Sequence, residues 1–135
     1  MLRFMAKSKL HRLTCTQANL NYVGSITLDP ALMDAAGIVP YEMVQITNIA
    51  NGTWWQTYAI PGNPDTGVVC LNGSSARHFH PGDKIIVISF GYYGEDEVRR
   101  LVPKIIFVDN GNHILEVASE EIPFTEYLPP EERKG

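Results

Sequence analysis

Short apolar runs separated by turn signals dominate this sequence, and that pattern constrains the fold most. Asn51-Gly52, the strongest short hairpin signal, lies between the strand-favouring runs 42–49 and 53–60. Other strand-like runs cover residues 9–16, 22–28, 68–71, 84–90, 103–108 and 113–117. Many short strands predict a mainly β fold, a small closed barrel with short helices, because closure leaves no sheet edge exposed.

The helical signals are few and brief. Asp29 can cap a helix that starts at Pro30, and Gly37 suits its exit. Residues 74–79 could form one helical turn, and residues 95–101 predict a short exposed helix. In the run from Lys9 to Thr16, alternation predicts an extended segment with Lys9, His11, Leu13 and Cys15 on one face.

Length and composition indicate one soluble domain, residues 1–119, followed by a flexible acidic and proline-rich tail, residues 120–135. The net charge of −4 argues against a nucleic-acid or membrane partner. No signal peptide is recognised at the start, so we expect a cytoplasmic protein. Cys15 and Cys70 have neither disulfide nor metal spacing and are expected to be reduced thiols.

The pair Gly24-Ser25 carries the most specific chemistry, because strand-favouring residues flank it on both sides. Glycine can adopt backbone angles closed to other residues, so the following bond can be held strained. A serine hydroxyl held against the preceding carbonyl can then attack it and move the acyl group from nitrogen to oxygen. Elimination and hydrolysis would leave a pyruvoyl group, made from Ser25, at a new chain end.

In motif order and spacing, residues 1 to about 115 resemble the aspartate 1-decarboxylase family. The matching motifs are Lys9-Leu10-His11-Arg12, residues 19–27, Asn51-Gly52, Thr57-Tyr58, Asn72-Gly73, Ala76-Arg77 and Gly82-Asp83. The resemblance implies a six-stranded double-psi β-barrel, assembled as a homotetramer with active sites between subunits. It also implies self-cleavage after Gly24, into residues 1–24 and 25–135, and decarboxylation of L-aspartate to β-alanine for pantothenate synthesis.

Each role in that chemistry is matched to a residue. The amino-acid substrate would form an imine (Schiff base) on the Ser25-derived pyruvoyl group, which takes up the electrons as the α-carboxyl group leaves. Tyr58 would reprotonate the resulting carbanion. Thr57 resembles the family residue that polarises the Gly24 carbonyl during cleavage. Without the resemblance, Tyr58 would be an ordinary core or interface tyrosine and Thr57 a plain strand residue.

The remaining site residues are expected to bind substrate or line the pocket. Asn72 offers amide donors to a developing oxyanion, although a turn asparagine before Gly73 is an equal alternative. Ser74 and Ser75 stand where the family usually carries two alanines. Lys9 could attract a substrate carboxylate and His11 could position groups by hydrogen bonding; Tyr22 is expected to pack against the cofactor.

Trp54 departs from the family, which usually has a carboxylate-binding arginine there. An indole has one N–H and no charge, so it cannot replace that contact. Two alternatives to aspartate decarboxylation therefore stay open. The same chemistry could act on a less acidic or larger amino acid, or the chain could be a non-catalytic barrel that binds a partner or a small molecule.

Other signals point to no further chemistry. His78 and His80 are spaced for a metal, but no third ligand has suitable spacing, so we expect no metal site. The residues indicate no maturation helper, although one could exist.

Overall fold

A computed structural model of the chain describes residues 1–129, 132 and 133. It contains two short α-helices, α1 (Pro30–Ala36) and α2 (Glu95–Arg100), and a 3-10 helix at Gly73–Arg77. The strands described are β1 (Arg3–Thr14), β2 (Gln17–Asn19), β3 (Ser25–Leu28), β4 (Met43–Asn48), β5 (Trp54–Pro61), β6 (Val69–Asn72), β7 (Lys84–Tyr93), β8 (Lys104–Val108) and β9 (Ile114–Ala118).

The strands pair in the order β2-β6-β3-β5-β4-β7-β1-β8-β9. Only Cys15 and Thr16 separate β1 from β2 in the chain, yet five strands, β6, β3, β5, β4 and β7, lie between them in this order. Because neighbouring strands lie about 4.8 Å apart, the sheet must curl to bring the end of β1 close to the start of β2. The predicted mainly β class with short helices is confirmed, and the arrangement is consistent with a small double-psi β-barrel.

The barrel strands have an inner face that forms the core and an outer face that carries polar residues. Leu10, Val87 and Ile46 are aligned across β1, β7 and β4, and all three are fully buried. Lys9 and Gln45, one residue away from this row, point to the opposite face with partial exposure. The pairing register therefore assigns each strand residue to the core or to the outer surface.

A β-bulge in β1 changes the predicted alternation. The β1–β7 register shifts between Leu10 and Leu13, and Arg12 has a φ of 58°. Leu10 and Leu13 are consequently both buried, and Cys15 joins the core. The prediction that Leu13 and Cys15 share a face with Lys9 is wrong, because the bulge reverses the alternation after His11.

Helix α1 forms as its local signals predict. The carboxylate of buried Asp29 accepts hydrogen bonds from the backbone N–H groups of Ala31 at 3.0 Å and Gly67 at 2.9 Å. Burial alone would raise the pKa of Asp29, but these bonds more than offset it and lower the pKa. Gly37 ends the helix with a φ of 67°.

The boundary at residue 119 and the flexibility of the tail stay predictions. Of the tail, residues 130, 131, 134 and 135 lie outside the described part of the chain. Its described residues contact the barrel: the ring of Tyr127 stacks on Phe107 with centroids 3.8 Å apart, and Arg133 pairs with Glu116.

Candidate active site

Ser25 is the first residue of β3, and the segment before it is a turn. Tyr22 and Val23 are exposed there, so the prediction of strand on both sides of Gly24-Ser25 is wrong for the preceding side. Tyr22 nevertheless stays near the site, because its hydroxyl accepts a hydrogen bond from Gln17 and its carbonyl lies close to Gly73. The Gly24-Ser25 pair thus lies where an exposed turn enters the barrel wall.

The backbone strain lies at Ser25 and not at Gly24. Ser25 has a φ of 98°, in the region that favours glycine, whereas Gly24 does not have a positive φ. Holding a non-glycine residue in such a conformation costs about 1–3 kcal/mol, which the surrounding structure must supply. The expected backbone strain is therefore present, and it lies at Ser25, the residue whose hydroxyl would react.

Residues from β5 and β6 lie on either side of Ser25. The antiparallel register of β3 and β6 pairs Ser25 with Asn72. On the other side, the parallel register pairs Ile26 with Ala59. If this parallel register is continued toward the N-terminus, Ser25 lies beside Tyr58 and Gly24 lies beside Thr57.

Gly73 makes the close approach of these segments possible. Its φ is 66°, and a side-chain carbon at this position would lie 3.3 Å from the Cα atom of Gly24. Such a contact is tighter than usual, and the positive φ would strain any other residue. The Asn72-Gly73 pair therefore lets the 3-10 helix begin directly beside Gly24.

The Ser25 hydroxyl is buried without a hydrogen-bond partner among the described residues. Ser25 as a whole is 3% exposed. A buried hydroxyl that forms no hydrogen bond costs free energy, so this group is a candidate for a chemical role. The site fits a precursor of a pyruvoyl group: a strained serine, a free hydroxyl and a glycine carbonyl immediately before it.

Tyr58 and Trp54 lie on the same face of β5, because their positions differ by an even number and side chains alternate along a strand. The ring of Tyr58 is partly buried and stacks on Tyr41 with centroids 5.7 Å apart. Trp54 is 57% exposed, so its indole lies at the protein surface. Thr57 points to the opposite face, as predicted from the alternation.

The side chain of Asn72 is held by two groups that sequence reasoning did not select, the buried Cys70 and the half-buried Thr27. Its Oδ1 atom accepts a hydrogen bond from the Cys70 thiol, and its Nδ2 atom donates to the Thr27 hydroxyl. Ser75 is also buried and donates from its hydroxyl to the Asn72 carbonyl at 2.8 Å, whereas Ser74 is exposed. Only the strand pairing could have pointed to Cys70 and Thr27.

Lys9 and His11 lie elsewhere in the chain, on β1 beside β8. They line a groove of about 680 Å³ whose described lining residues do not include Ser25 or Tyr58. The Lys9 ammonium pairs with the tail carboxylate of Glu121 at 3.5 Å. Burial, then the charges of Lys9 and Arg12, lower the pKa of His11, so its imidazole is neutral at pH 7.

The register nevertheless puts Lys9 on the same outer face as the β5 residues. Lys9 pairs with Ile88, Ile88 with Gln45, and Gln45 with Gln56. Gln56 shares its face with Trp54 and Tyr58, and three strand spacings amount to about 14 Å. One chain thus brings together Gly24, Ser25, Thr57, Tyr58, Asn72 and Gly73, but does not bring Lys9 and His11 to them.

The described part of the chain has neither a cluster of metal ligands nor a membrane-spanning helix. It holds no group of three or more His, Cys, Asp or Glu residues able to bind a metal. Among these residues, no helix is long and apolar enough to span a membrane. Cys15 and Cys70 are free and buried, and burial raises the pKa of the Cys15 thiol to about 11.

Comparison with known proteins gives a consistent result. Residues 1–115 match the model of a family described as Aspartate decarboxylase. The chain is 53% identical to an aspartate 1-decarboxylase of Bacillus cereus, over 90% of this chain and 95% of the relative. It is 51% identical to one from Heliobacterium modesticaldum and 50% identical to one from Clostridium beijerinckii, which it covers to 92% and 98%.

Proposed function

The chain belongs to the aspartate decarboxylase family and is a carboxy-lyase, and from that premise we propose that it is self-processing and pyruvoyl-dependent. Its most favoured substrate is L-aspartate, which it converts to β-alanine and CO2. The observation that carries this proposal is the state of Ser25: a φ of 98° and a buried hydroxyl without a partner among the described residues.

The cleavage step needs only the residues at the start of β3. The Ser25 Oγ atom attacks the Gly24 carbonyl carbon, the C–N bond breaks, and the hydroxyl proton passes to the released nitrogen. Loss of the Ser25 α-proton and of the Gly24 carboxylate then leaves a dehydroalanine. Water replaces its nitrogen, ammonia leaves, and a pyruvoyl group remains on the chain that begins at residue 25.

The pyruvoyl group supplies a ketone that binds the substrate amine and accepts electrons as CO2 leaves. Around it, Tyr58 would deliver the proton that completes the product, and Asn72 and Thr57 would hold the oxygen atoms that carry charge during cleavage. The partly buried position of Tyr58, level with Ser25 in the continued register, supports its role.

Lys9 and His11 support a site shared between subunits. In one chain they lie on the outer face, about three strand spacings from Gln56, roughly 14 Å. A neighbouring copy could bring its Lys9 to this site, where the ammonium would bind a substrate carboxylate. We therefore propose that the active sites are shared between the subunits of a homotetramer. We also propose that the protein is located in the cytoplasm.

Trp54 favours a second candidate, the same reaction on a larger or less acidic amino acid. Its indole is surface-exposed and shares the outer face with Tyr58. An aromatic surface binds apolar side chains better than a carboxylate, since it offers one N–H donor and no charge. A non-catalytic barrel has no comparable support, because the relatives are named as decarboxylases.

An amino-acid panel separates the two candidates. We expect purified, aged protein to release CO2 from L-aspartate faster than from glutamate, the aromatic amino acids and the aliphatic ones. Borohydride added during turnover should attach the substrate to the fragment that begins at residue 25, as detected by mass spectrometry. Faster turnover of an aromatic or aliphatic amino acid would favour the second candidate, and absence of both CO2 release and labelling would overturn the proposed function.

A cation at position 54 should improve the binding of aspartate. Because a charge-assisted hydrogen bond contributes roughly 1.5–3 kcal/mol, Trp54→Arg is expected to lower the KM for aspartate about 10- to 150-fold. Trp54→Gln is the matched control, since it removes the indole without adding charge. Steady-state CO2 release measures both variants, and equal KM values for Arg and Gln would show that pocket charge is not what limits aspartate binding.

A further inference from the structure

Four side chains meet on one face of the β3–β6 pair beside the cleavage point. The antiparallel register puts Ser25 opposite Asn72 and Thr27 opposite Cys70. Directly opposed residues share a face, with Cβ atoms about 4.5–5.5 Å apart. The residues between them, Ile26 and Leu71, are fully buried in the core, so the four polar side chains lie on the other face of the pair.

Hydrogen bonds join three of the four. The Cys70 Sγ atom lies 3.0 Å from Asn72 Oδ1, and Asn72 Nδ2 lies 2.9 Å from Thr27 Oγ1. Cys70 is 3% and Asn72 4% exposed, so water does not compete freely for these bonds. Burial raises the pKa of the Cys70 thiol, which keeps its hydrogen available for donation.

The two hydrogen bonds of the Asn72 amide define which way it points. A thiol is a weak donor and a weak acceptor, and here the Cys70 thiol donates to the amide oxygen of Asn72. The amide nitrogen then faces Thr27, whose hydroxyl oxygen accepts one of its two N–H bonds. The second N–H of the Asn72 amide is then available to donate a hydrogen bond beside Ser25. The Ser25 hydroxyl has no partner among the described residues.

We propose that Cys70 and Thr27 are positioning residues that hold the Asn72 amide in the orientation needed for cleavage at Gly24–Ser25. This inference rests on the proposed function. When the Ser25 Oγ–carbon bond forms, negative charge develops on the Gly24 carbonyl oxygen, and a pre-oriented N–H lowers the energy of that state. The hydroxyl proton goes to the Ser25 nitrogen as the C–N bond breaks, and the Asn72 amide is unchanged by the step.

The rate of self-cleavage tests this role without any decarboxylation assay. Full-length chain made by a short pulse of cell-free translation is incubated, and denaturing mass spectrometry follows its conversion to residues 1–24 and 25–135. Thr27→Val and Cys70→Ala are expected to slow cleavage about 10- to 100-fold, since each frees the amide to rotate. Thr27→Ser and Cys70→Ser keep an acceptor and a donor and should stay within about threefold of the unaltered chain.

Two controls match these changes in shape and burial. Cys15→Ala removes the other buried thiol, and Thr47→Val makes the same exchange on β4; both should cleave at the unaltered rate. In an Asn72→Ala background, Cys70→Ala should slow cleavage no further, because the group that it orients is gone.

Each result has one meaning. If Cys70→Ala and Asn72→Ala slow cleavage by factors that multiply in the double variant, Cys70 acts through general stability and the inference is overturned. The same holds if Cys15→Ala slows cleavage as much as Cys70→Ala does. Unaltered rates in Thr27→Val and Cys70→Ala would also overturn it, while cleavage of the unaltered chain leaves the proposed function standing. If the unaltered chain never cleaves, the proposed function and this inference both fail.

Discussion

Ser25→Ala is expected to leave the chain whole and without decarboxylase activity, whereas the unaltered chain should separate into residues 1–24 and 25–135. Alanine has no hydroxyl, so no atom can attack the Gly24 carbonyl and no ketone forms. Denaturing mass spectrometry distinguishes the outcomes directly: the unaltered chain should also show a larger fragment whose first residue carries a pyruvoyl group in place of serine.

Ser8→Ala provides the matched control for this change. Ser8 is also buried, and its hydroxyl likewise has no partner among the residues described. It lies on β1, away from the β3 turn, so its loss should leave cleavage unaltered. Cleavage of Ser25→Ala at the same bond, or an ordinary amine at the new chain end of the unaltered protein, would contradict the proposed origin of the cofactor.

Tyr58→Phe is expected to cleave normally and yet lose about 10²- to 10⁴-fold in kcat for decarboxylation. The change removes only the phenolic hydroxyl, so the ring can still stack on Tyr41. Because the proposed role of the hydroxyl is to donate a proton after CO2 departs, turnover should fall while chain processing stays intact. Mass spectrometry and CO2 release from the same sample measure the two steps separately.

Tyr41→Phe is the control for the aromatic pair, because Tyr41 is exposed and touches Tyr58 through its ring. It should keep both cleavage and turnover. A kcat for Tyr58→Phe within tenfold of the unaltered enzyme would assign the proton to another donor. Failure of Tyr58→Phe to cleave would instead place Tyr58 in processing.

The elements with strong local signals could be predicted from the sequence. Asp29, Pro30 and Gly37 define α1 almost to the residue, because capping and turn preferences depend only on neighbours along the chain. The hairpin around Asn51-Gly52 forms for the same reason, with β4 and β5 paired on either side of it. The family was also recognisable, since its motifs keep their order and spacing.

Predictions that relied on uninterrupted alternation were less successful. The bulge at Arg12 points the side chains of Leu13 and Cys15 into the core instead of onto the face of Lys9. The segment of Tyr22 and Val23 forms an exposed turn instead of a strand. β-propensity describes how a side chain fits a pleated surface, but it does not say where a sheet ends or bends. Those positions depend on the strands that pair with the segment.

The sequence by itself determined the strand content, the capped helix and the Gly24-Ser25 pair, because each follows from residue type and near neighbours. Only the tertiary structure decided that the strain lies at Ser25, that Cys70 and Thr27 hold Asn72, and that Lys9 lies apart from them. Thr27 and Asn72 are 45 residues apart in the chain, and their hydrogen bond exists because β3 and β6 pair in one register. Pairing between distant strands depends on how the whole barrel packs, and local preferences alone do not specify it.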